Sequence, residues 1–81
     1  MIKNENTLYR HISCLIRNAR KEKKISGADM AKKLGISQQQ YSRYERGVNN
    51  LKLWNLLRII KILNIEIKEI IDHIDNDELD K

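Results

Sequence analysis

The sequence predicts an all-α fold, with five helices packed into one compact domain over residues 1–81. The chain has no proline and only three glycines, so little interrupts its helices. Ile, Leu, Lys and Glu are abundant, a balance that favours helix over strand. Apolar residues also recur at intervals of three and four, the period of an amphipathic helix. A hydrophobic content of 41% supplies one core and not two.

The first two helices are predicted from capping residues and apolar spacing. Thr7 is suited to cap the first helix, which we expect to end near residue 24. Its apolar positions are Leu8, Ile12, Leu15, Ile16 and Ala19. Ser26 and Asp29 approximate a capping box for a second helix, which Gly35 ends. The inward positions of that helix are Ala28, Ala31 and Leu34.

The remaining helices follow the same pattern. Ser37 is predicted to cap a third helix that Gly47 closes, with Tyr41 and Tyr44 facing inward and Ile36 filling the preceding turn. Asn49 or Asn50 is expected to cap the fourth helix, whose predicted buried face is Leu53, Leu56, Leu57, Ile60 and Leu63. The fifth helix is predicted from Ile67, Ile70, Ile71 and Ile74, and an acidic tail follows at about residues 75–81.

Charge is divided unevenly along the chain. Residues 1–65 carry fourteen Lys and Arg against four Asp and Glu, a balance of +10. Residues 66–81 carry two basic and seven acidic residues, a balance of −5. A strongly basic body attracts a polyanion such as DNA, although solvated surface lysines alone produce the same composition.

Residues 26–46 are the most informative about function, because they predict two short helices joined by a glycine-containing turn. The second of these helices opens with Ser37 and three glutamines, Gln38, Gln39 and Gln40. Amide side chains at the start of a helix in a basic protein are suited to hydrogen bonding with base edges. The pattern is typical of a helix-turn-helix motif and indicates sequence-specific DNA binding.

Over about residues 12–72 the chain resembles the helix-turn-helix family of the phage lambda repressor and Cro. The matching positions are Ile16, Arg20, Ser26, Ala31, Leu34-Gly35-Ile36-Ser37, Glu45, Gly47, Leu56-Leu57 and Leu63. The resemblance implies a lambda-repressor-like domain of five helices, with the third helix in the major groove and the second across the phosphate backbone. The segment ISQQQYSRYERG is most similar to small regulators of fimbrial operons in enteric bacteria.

The resemblance assigns base contacts to Gln38, Gln39 and Arg43, with Ser42 as a weaker candidate. Glutamine can donate to and accept from adenine, whereas arginine donates to guanine O6 and N7. A merely soluble helix face is the alternative for the glutamines.

Phosphate contacts are expected at Ser37, Gln40, Arg46, Asn49 and Asn50, with solvent as the alternative for Gln40. Many family members begin the second helix with a phosphate-binding glutamine, where this chain has Gly27. That contact is therefore either absent or made by the bare amide.

Two further features are expected to be structural. Arg20 and Glu45 match a pair that forms a buried salt bridge in relatives, which orients the recognition helix or simply stabilises the fold. Trp54 is expected either in a dimer interface or beneath its own fifth helix. The residues expected to share such an interface are Ile59, Ile62, Ile67, Ile70, Ile71 and Ile74.

Other function classes find little support in the sequence. His11 and Cys14 have a spacing suited to two metal ligands, but no cluster completes a site, so we expect no metal and no cofactor. No nucleophile with its base and no glycine-rich phosphate loop is present, so we expect no enzyme. The sequence has no secretory signal and no run long enough to cross a bilayer, which predicts a cytoplasmic location.

The sequence therefore predicts a repressor that binds a pseudo-palindromic operator in double-stranded DNA as a homodimer. By analogy with the fimbrial regulators, adhesion or motility genes are the expected targets. Two alternatives stay open: an antitoxin that also binds a toxin protein, and the controller of a restriction–modification operon. A protein-interaction module without DNA binding would leave Gln38, Gln39 and the basic body unexplained.

Overall fold

The computed structural model describes residues 5–47 and 51–72, with side chains described from residue 8 onward. Four helices follow one another in the order α1 (Glu5–Glu22), α2 (Gly27–Leu34), α3 (Gln38–Arg46) and α4 (Leu53–Leu63). A fifth helix, α5, covers residues 67–72, where the described part ends. No strand occurs in these residues, and the prediction of an all-α fold with five helices is confirmed. The predicted acidic tail at 75–81 lies outside the described residues.

α1 is longer than predicted at its start. It begins at Glu5, so Thr7 lies inside the first turn and the prediction of a cap at Thr7 is wrong. At the other end, Lys24 adopts a left-handed conformation with φ 58°. The Ile25 amide then donates to the Arg20 carbonyl at 3.2 Å, which closes the last turn of α1. The predicted inward side chains of α1 all pack in or against the core: Leu8, Ile12, Leu15, Ile16 and Ala19.

The boundaries of α2 and α3 are set by the predicted serines and glycines. The Ser26 hydroxyl accepts the Asp29 amide at 3.0 Å, and Gly35 ends α2 in the left-handed region with φ 71°. α2 buries Met30, Ala31 and Leu34. Ala28 is exposed, so its predicted inward position is wrong, because the buried face of α2 includes Met30 instead.

α4 is rotated relative to the prediction. Ile59 is fully buried, whereas Leu53 and Leu57 are 69% and 47% exposed, so their predicted burial is wrong. The inward positions of α4 are Leu56, Ile59, Ile60 and Leu63, the spacing of a single helical face. Lys52 occupies the N-cap position without a side-chain cap bond, so the prediction of an asparagine cap is also wrong.

The core is formed where α1, α2, α3 and α4 meet. Its largest fully buried side chains are Tyr41, Ile16, Met30, Ile59 and Leu63. α1 and α2 both pack against α3 on one side and α4 on the other. None of the helices in the described part is both long and apolar enough to cross a bilayer.

Candidate nucleic-acid interface

The outer face of α3 is a continuous polar surface. Its members are exposed side chains at helical spacing: Gln38, Gln39, Ser42, Arg43 and Arg46. Within the described residues, the side chains of Gln38, Gln39 and Arg43 make no hydrogen bond or ion pair. These amide and guanidinium groups are therefore open to an external ligand. We call this set of five residues the α3 outer face.

The start of α3 is fixed by the turn that precedes it. Gly35 turns the chain after α2, and the Ile36 amide donates to the Ala31 carbonyl at 3.0 Å. The Ser37 hydroxyl then accepts the Gln40 amide at 3.0 Å. Because these bonds hold the first turn, Gln38 and Gln39 project from an ordered helix start. Gln40 is half-buried and stands apart from them.

Two tyrosines anchor the inner face of α3. Tyr41 and Tyr44 are 1% and 3% exposed, and their rings meet edge to face with centroids 6.5 Å apart. The Tyr44 carbonyl accepts a hydrogen bond from the Ser13 hydroxyl of α1. The Tyr44 hydroxyl accepts one from Asn55 Nδ2 of α4 at 3.0 Å. α3 is thus connected to the helices on both sides of it.

An ion pair ties the end of α3 to the end of α1. Arg20 Nε donates to Glu45 Oε2 at 2.6 Å, and Arg20 Nη2 donates to Glu45 Oε1 at 3.1 Å. Arg20 Nη1 also donates to the Ile25 carbonyl at 2.7 Å. The pair is bidentate and mostly shielded, with the two side chains 14% and 11% exposed. It forms between the two residues that the sequence predicts.

The ion pair shapes the electrostatics around α3. The hydrogen bond from Arg20 to Glu45 raises the pKa of Arg20 above its ordinary value, and burial opposes this shift. Burial and the nearby Glu45 carboxylate raise the pKa of Tyr41 well above its ordinary value. Glu45 is the one acidic residue in α3, and its charge is compensated internally. The α3 outer face therefore keeps the positive charge of Arg43 and Arg46.

The size and chemistry of α3 suit a DNA groove. An α-helix with its side chains is about 10–12 Å across and the major groove is about 12 Å wide, so the nine-residue α3 can lie within it. Glutamine and arginine side chains on its outer face supply donors and acceptors for base edges, and arginine also contacts phosphate. Together with the capped α2–turn–α3 unit, these features define a DNA-binding protein of the helix-turn-helix class.

Some predicted phosphate-contacting residues can be placed and others cannot. Ser37 and Arg46 are exposed at opposite ends of α3. Asn49 and Asn50 lie outside the described residues. Gly27 is the first residue of α2, and a Cβ there would lie 3.8 Å from Tyr41 Cδ2. This is an ordinary contact distance, so Tyr41 leaves room for a Cβ at the position where the resemblance would place a phosphate-binding glutamine.

The residues predicted for a dimer interface differ in their exposure. Trp54 is 71% exposed, so packing beneath its own fifth helix, the alternative position, does not occur against residues 67–72. Ile67 and Ile71 are 55% and 51% exposed. The others do not share this exposure: Ile62 and Ile70 pack partly against the core, Ile59 is fully buried, and Ile74 lies outside the described residues. The expected interface role of Ile59 is therefore wrong, because the rotation of α4 turns it inward.

Three polar residues that support the motif were not predicted from the sequence. Ser13 is 4% exposed and bonds to the Tyr44 carbonyl. Asn55 bonds to the Tyr44 hydroxyl, and Arg58 donates from Nη1 and Nη2 to the Leu34 and Lys33 carbonyls at 2.8 and 2.9 Å. Arg58 thereby satisfies carbonyls at the end of α2. A polar residue among apolar neighbours is the one sequence signal for Ser13, and its partner lies 31 positions away.

His11 and Cys14 are the two residues whose spacing resembles that of metal ligands. Within the residues described, no three side chains of His, Cys, Asp or Glu come together as metal ligands. Cys14 is an exposed free thiol.

Comparison with known families supports the class that the fold and site define. Residues 16–70 match the family described as Helix-turn-helix. A similar solved structure is that of the clp gene regulator ClgR from Corynebacterium glutamicum, with 17% identity and a TM-score of 0.76. That likeness covers 86% of this chain and 74% of the other, and concerns the fold. The chain has no match among curated protein sequences. The family match spans most of the chain, which therefore belongs to the helix-turn-helix family and is a DNA-binding transcriptional regulator.

Proposed function

We propose that the protein is a sequence-specific repressor that binds a pseudo-palindromic operator as a homodimer. The observation that carries this proposal is the α3 outer face, where Gln38 and Gln39 project without internal partners from a helix that is fixed from behind. A fixed helix with unpaired amides suits direct contact with base edges. The protein would repress transcription by occupying DNA that polymerase needs.

Base contact falls to Gln38, Gln39 and Arg43 in this proposal, with Ser42 as a weaker contributor. Each bidentate contact contributes about 1–3 kcal/mol of discrimination against a wrong base pair. Ser37, Gln40 and Arg46 would position the helix on phosphates, together with the predicted contacts at Asn49 and Asn50.

Selection from a random double-stranded DNA pool tests this assignment. The wild-type protein should enrich a palindrome whose half-sites lie about 34 Å apart, one helical turn. Locating that sequence in the source genome would test whether adhesion or motility genes are targets. Gln38→Ala and Gln39→Ala should each relax the preference at one base pair. Gln40→Ala is the matched control, because this glutamine neighbours the other two and should change affinity without changing the preferred base.

The homodimer is proposed to form through an exposed apolar surface on α4 and α5. We define the dimer surface by its exposed large side chains: Leu53, Trp54, Leu57, Ile67 and Ile71. On α4, Trp54 and Leu57 are three residues apart and Leu53 and Leu57 four, so these three share one side of the helix. Ile67 and Ile71 are four apart on α5. Large apolar side chains exposed together on one side of a helix are typical of an interaction surface.

Charge favours a second copy of the same chain as the occupant of this surface. Residues 52–63 carry Lys52, Arg58 and Lys61 and no acidic residue. The α5 region carries exposed Glu66, Glu69 and Asp72 against one exposed lysine, Lys68, so its balance is acidic. In a two-fold dimer the same patch faces itself, so the basic α4 of one protomer can approach the acidic α5 of its partner. An operator with two half-sites requires the same symmetry.

Trp54 reports directly on this dimer because it is the only tryptophan in the chain. Its emission should shift to shorter wavelength as protein concentration rises, because dimer formation removes the ring from water. Leu57→Lys should abolish the shift and give a monomer in sedimentation analysis. Lys32→Ala, an exposed position on α2, is the control and should behave as wild type. If the Trp54 emission of the wild-type protein does not change with protein concentration, the proposed dimer surface is contradicted.

Failure to enrich any sequence with folded, dimeric protein would contradict specific DNA recognition. The antitoxin function would then be favoured, with the dimer surface available to a toxin. A nuclease and methyltransferase encoded beside the selected operator would instead support control of a restriction–modification operon.

A further inference from the structure

The recognition helix α3 and the dimer helix α4 are linked by a specific hydrogen bond. Asn55 Nδ2 of α4 donates to the Tyr44 hydroxyl of α3 at 3.0 Å. Both helices pack chiefly against α1 and α2, and direct packing between α3 and α4 is slight in the described residues. A polar contact between two elements that share little packing has more influence on their relative angle than it would inside a tight interface.

The position of Asn55 connects this bond to the dimer surface. Asn55 immediately follows Trp54 and precedes Leu57 by two residues, so it is part of the same first turns of α4. Tyr44 lies between Arg43 and Arg46 of the α3 outer face, with its side chain on the opposite side of the helix. The bond thus joins the back of the DNA-contacting helix to the helix that presents the dimer surface.

We infer that the Tyr44–Asn55 hydrogen bond sets the angle between α3 and α4 and so determines the spacing between half-sites that the dimer accepts. This inference depends on the proposed function, since spacing has meaning only for a dimer on two half-sites. Tyr44 and Asn55 act here as positioning residues and do not contact DNA.

A small change in the angle between α3 and α4 is enough to alter the distance between the two recognition helices of a dimer. Both helices pack against α1 and α2, and at the roughly 8–10 Å that separates the axes of packed helices a rotation of about 10° moves side chains by about 1.5 Å. One base-pair step along DNA is about 3.4 Å. In a symmetric dimer both recognition helices move, which doubles the change in their separation. A one-base-pair displacement also turns the half-site by about 34° about the DNA axis, so loss of this bond should reduce the penalty for the displaced spacing without abolishing it.

The structure offers a closely matched control on the same residue. The Ser13 hydroxyl of α1 donates to the Tyr44 carbonyl, so Ser13→Ala also removes one hydrogen bond to Tyr44. The Ser13 bond joins α3 to α1, so the Ser13→Ala variant keeps the contact between Tyr44 and α4. Any general loosening of α3 should affect Ser13→Ala and Tyr44→Phe equally, whereas a change in the angle to α4 should affect Tyr44→Phe alone.

The test uses the full chain and a series of DNA duplexes with two copies of the selected half-site. The centre-to-centre distance is the selected one, one base pair shorter or one base pair longer, and a fourth duplex carries a single half-site. Fluorescence anisotropy gives a dissociation constant for each duplex. The measured quantity is the ratio of dissociation constants between displaced and selected spacing, with folding of every variant verified by circular dichroism.

Wild type and Ser13→Ala should give the same large ratio. Tyr44→Phe should reduce the ratio at least threefold and leave binding to the single half-site within twofold of wild type. Asn55→Ala should reproduce this effect with the tyrosine intact, and the double variant should add nothing. An unchanged ratio in both Tyr44→Phe and Asn55→Ala would overturn the inference, as would an equal reduction in Ser13→Ala. Wild-type protein without any spacing preference would overturn the proposed dimeric operator itself.

Discussion

Gly47 provides the sharpest test of how α3 is fixed, because two independent effects oppose any side chain there. Its φ is 68°, in the left-handed region where an L-residue other than glycine costs about 1–2 kcal/mol. A Cβ at this position would also lie 3.2 Å from Arg10 Cα and 3.3 Å from Arg10 Cγ. Because Arg10 Cα belongs to the α1 backbone, this contact cannot be relieved by a change of rotamer.

The magnitude follows from adding these effects. Overpacking against neighbouring structure costs about 1–3 kcal/mol. The loss of backbone freedom in the unfolded chain returns about 0.4–1 kcal/mol when glycine becomes alanine. Gly47→Ala should therefore lower the free energy of unfolding by about 1–4.6 kcal/mol. Each kcal/mol corresponds to about 4–8 °C in the melting temperature of a domain of this size.

Gly35→Ala is the matched control, because Gly35 has nearly the same φ of 71° but no neighbouring atom within 4 Å of a Cβ. Gly35→Ala should lower the free energy of unfolding by only about 0–1.6 kcal/mol, the backbone effect less the unfolded-state gain. Urea denaturation followed by circular dichroism measures both variants. Equal destabilisation of the two would refute the steric contact with Arg10 and leave only the left-handed conformation as the cause.

Four other predictions concern charge, backbone and DNA binding. In a double-mutant cycle, Arg20→Ala and Glu45→Ala should show a coupling of about 1–3 kcal/mol in urea denaturation, and additive losses would contradict the bidentate pair. Tyr41→Phe should be neutral or stabilising at pH 7, because the Tyr41 hydroxyl has no hydrogen-bond partner within the described residues. The raised pKa of Tyr41 means that wild-type stability is retained below about pH 10 and falls above it as the unfolded chain ionises. Tyr41→Phe should flatten this alkaline fall, and an identical slope would place the titration elsewhere. Lys24→Gly should raise the melting temperature, since it relieves a left-handed lysine with φ 58°, and a lower temperature would show that the Lys24 side chain stabilises the loop. For DNA, Arg46→Ala should reduce the salt slope of binding by about one without changing the preferred sequence, and an unchanged slope would exclude a phosphate contact.

The helix-turn-helix could be predicted closely because its signals are local. Ser26, Gly35, Ser37 and Gly47 each satisfy or reverse the backbone within a few residues of themselves. Such residues act through hydrogen bonds and φ values that do not depend on the rest of the fold. The edges of α2 and α3 are therefore properties of short segments, and the sequence contains the whole of that information.

The buried face of α4 could not be predicted in the same way. Apolar residues occur on every side of this helix, so periodicity does not distinguish the side that packs from the side that remains exposed. The choice is made by the surfaces of α1 and α2, which accept Ile59 and leave Leu53 and Trp54 outside. Because most residues of α4 are apolar, this helix can supply one side to the core and leave another side for an interface. The excess of apolar residues predicted an interface, but only the packing shows which of these residues stay exposed.

In α3, the residues that hold the helix in the fold differ from the residues proposed to contact bases. Tyr44 and Glu45 connect its inner side to α1 and α4, and the neutralisation of Glu45 by Arg20 occurs on that side. Gln38 and Gln39 take no part in these contacts. Substitutions on the α3 outer face should therefore alter which bases are preferred at little cost to folding, because no buried partner is left unsatisfied. Substitutions on the inner side change the placement of the whole outer face at once. In this fold, new specificity is accordingly most accessible through the exposed glutamines and arginines, with the inner contacts kept constant.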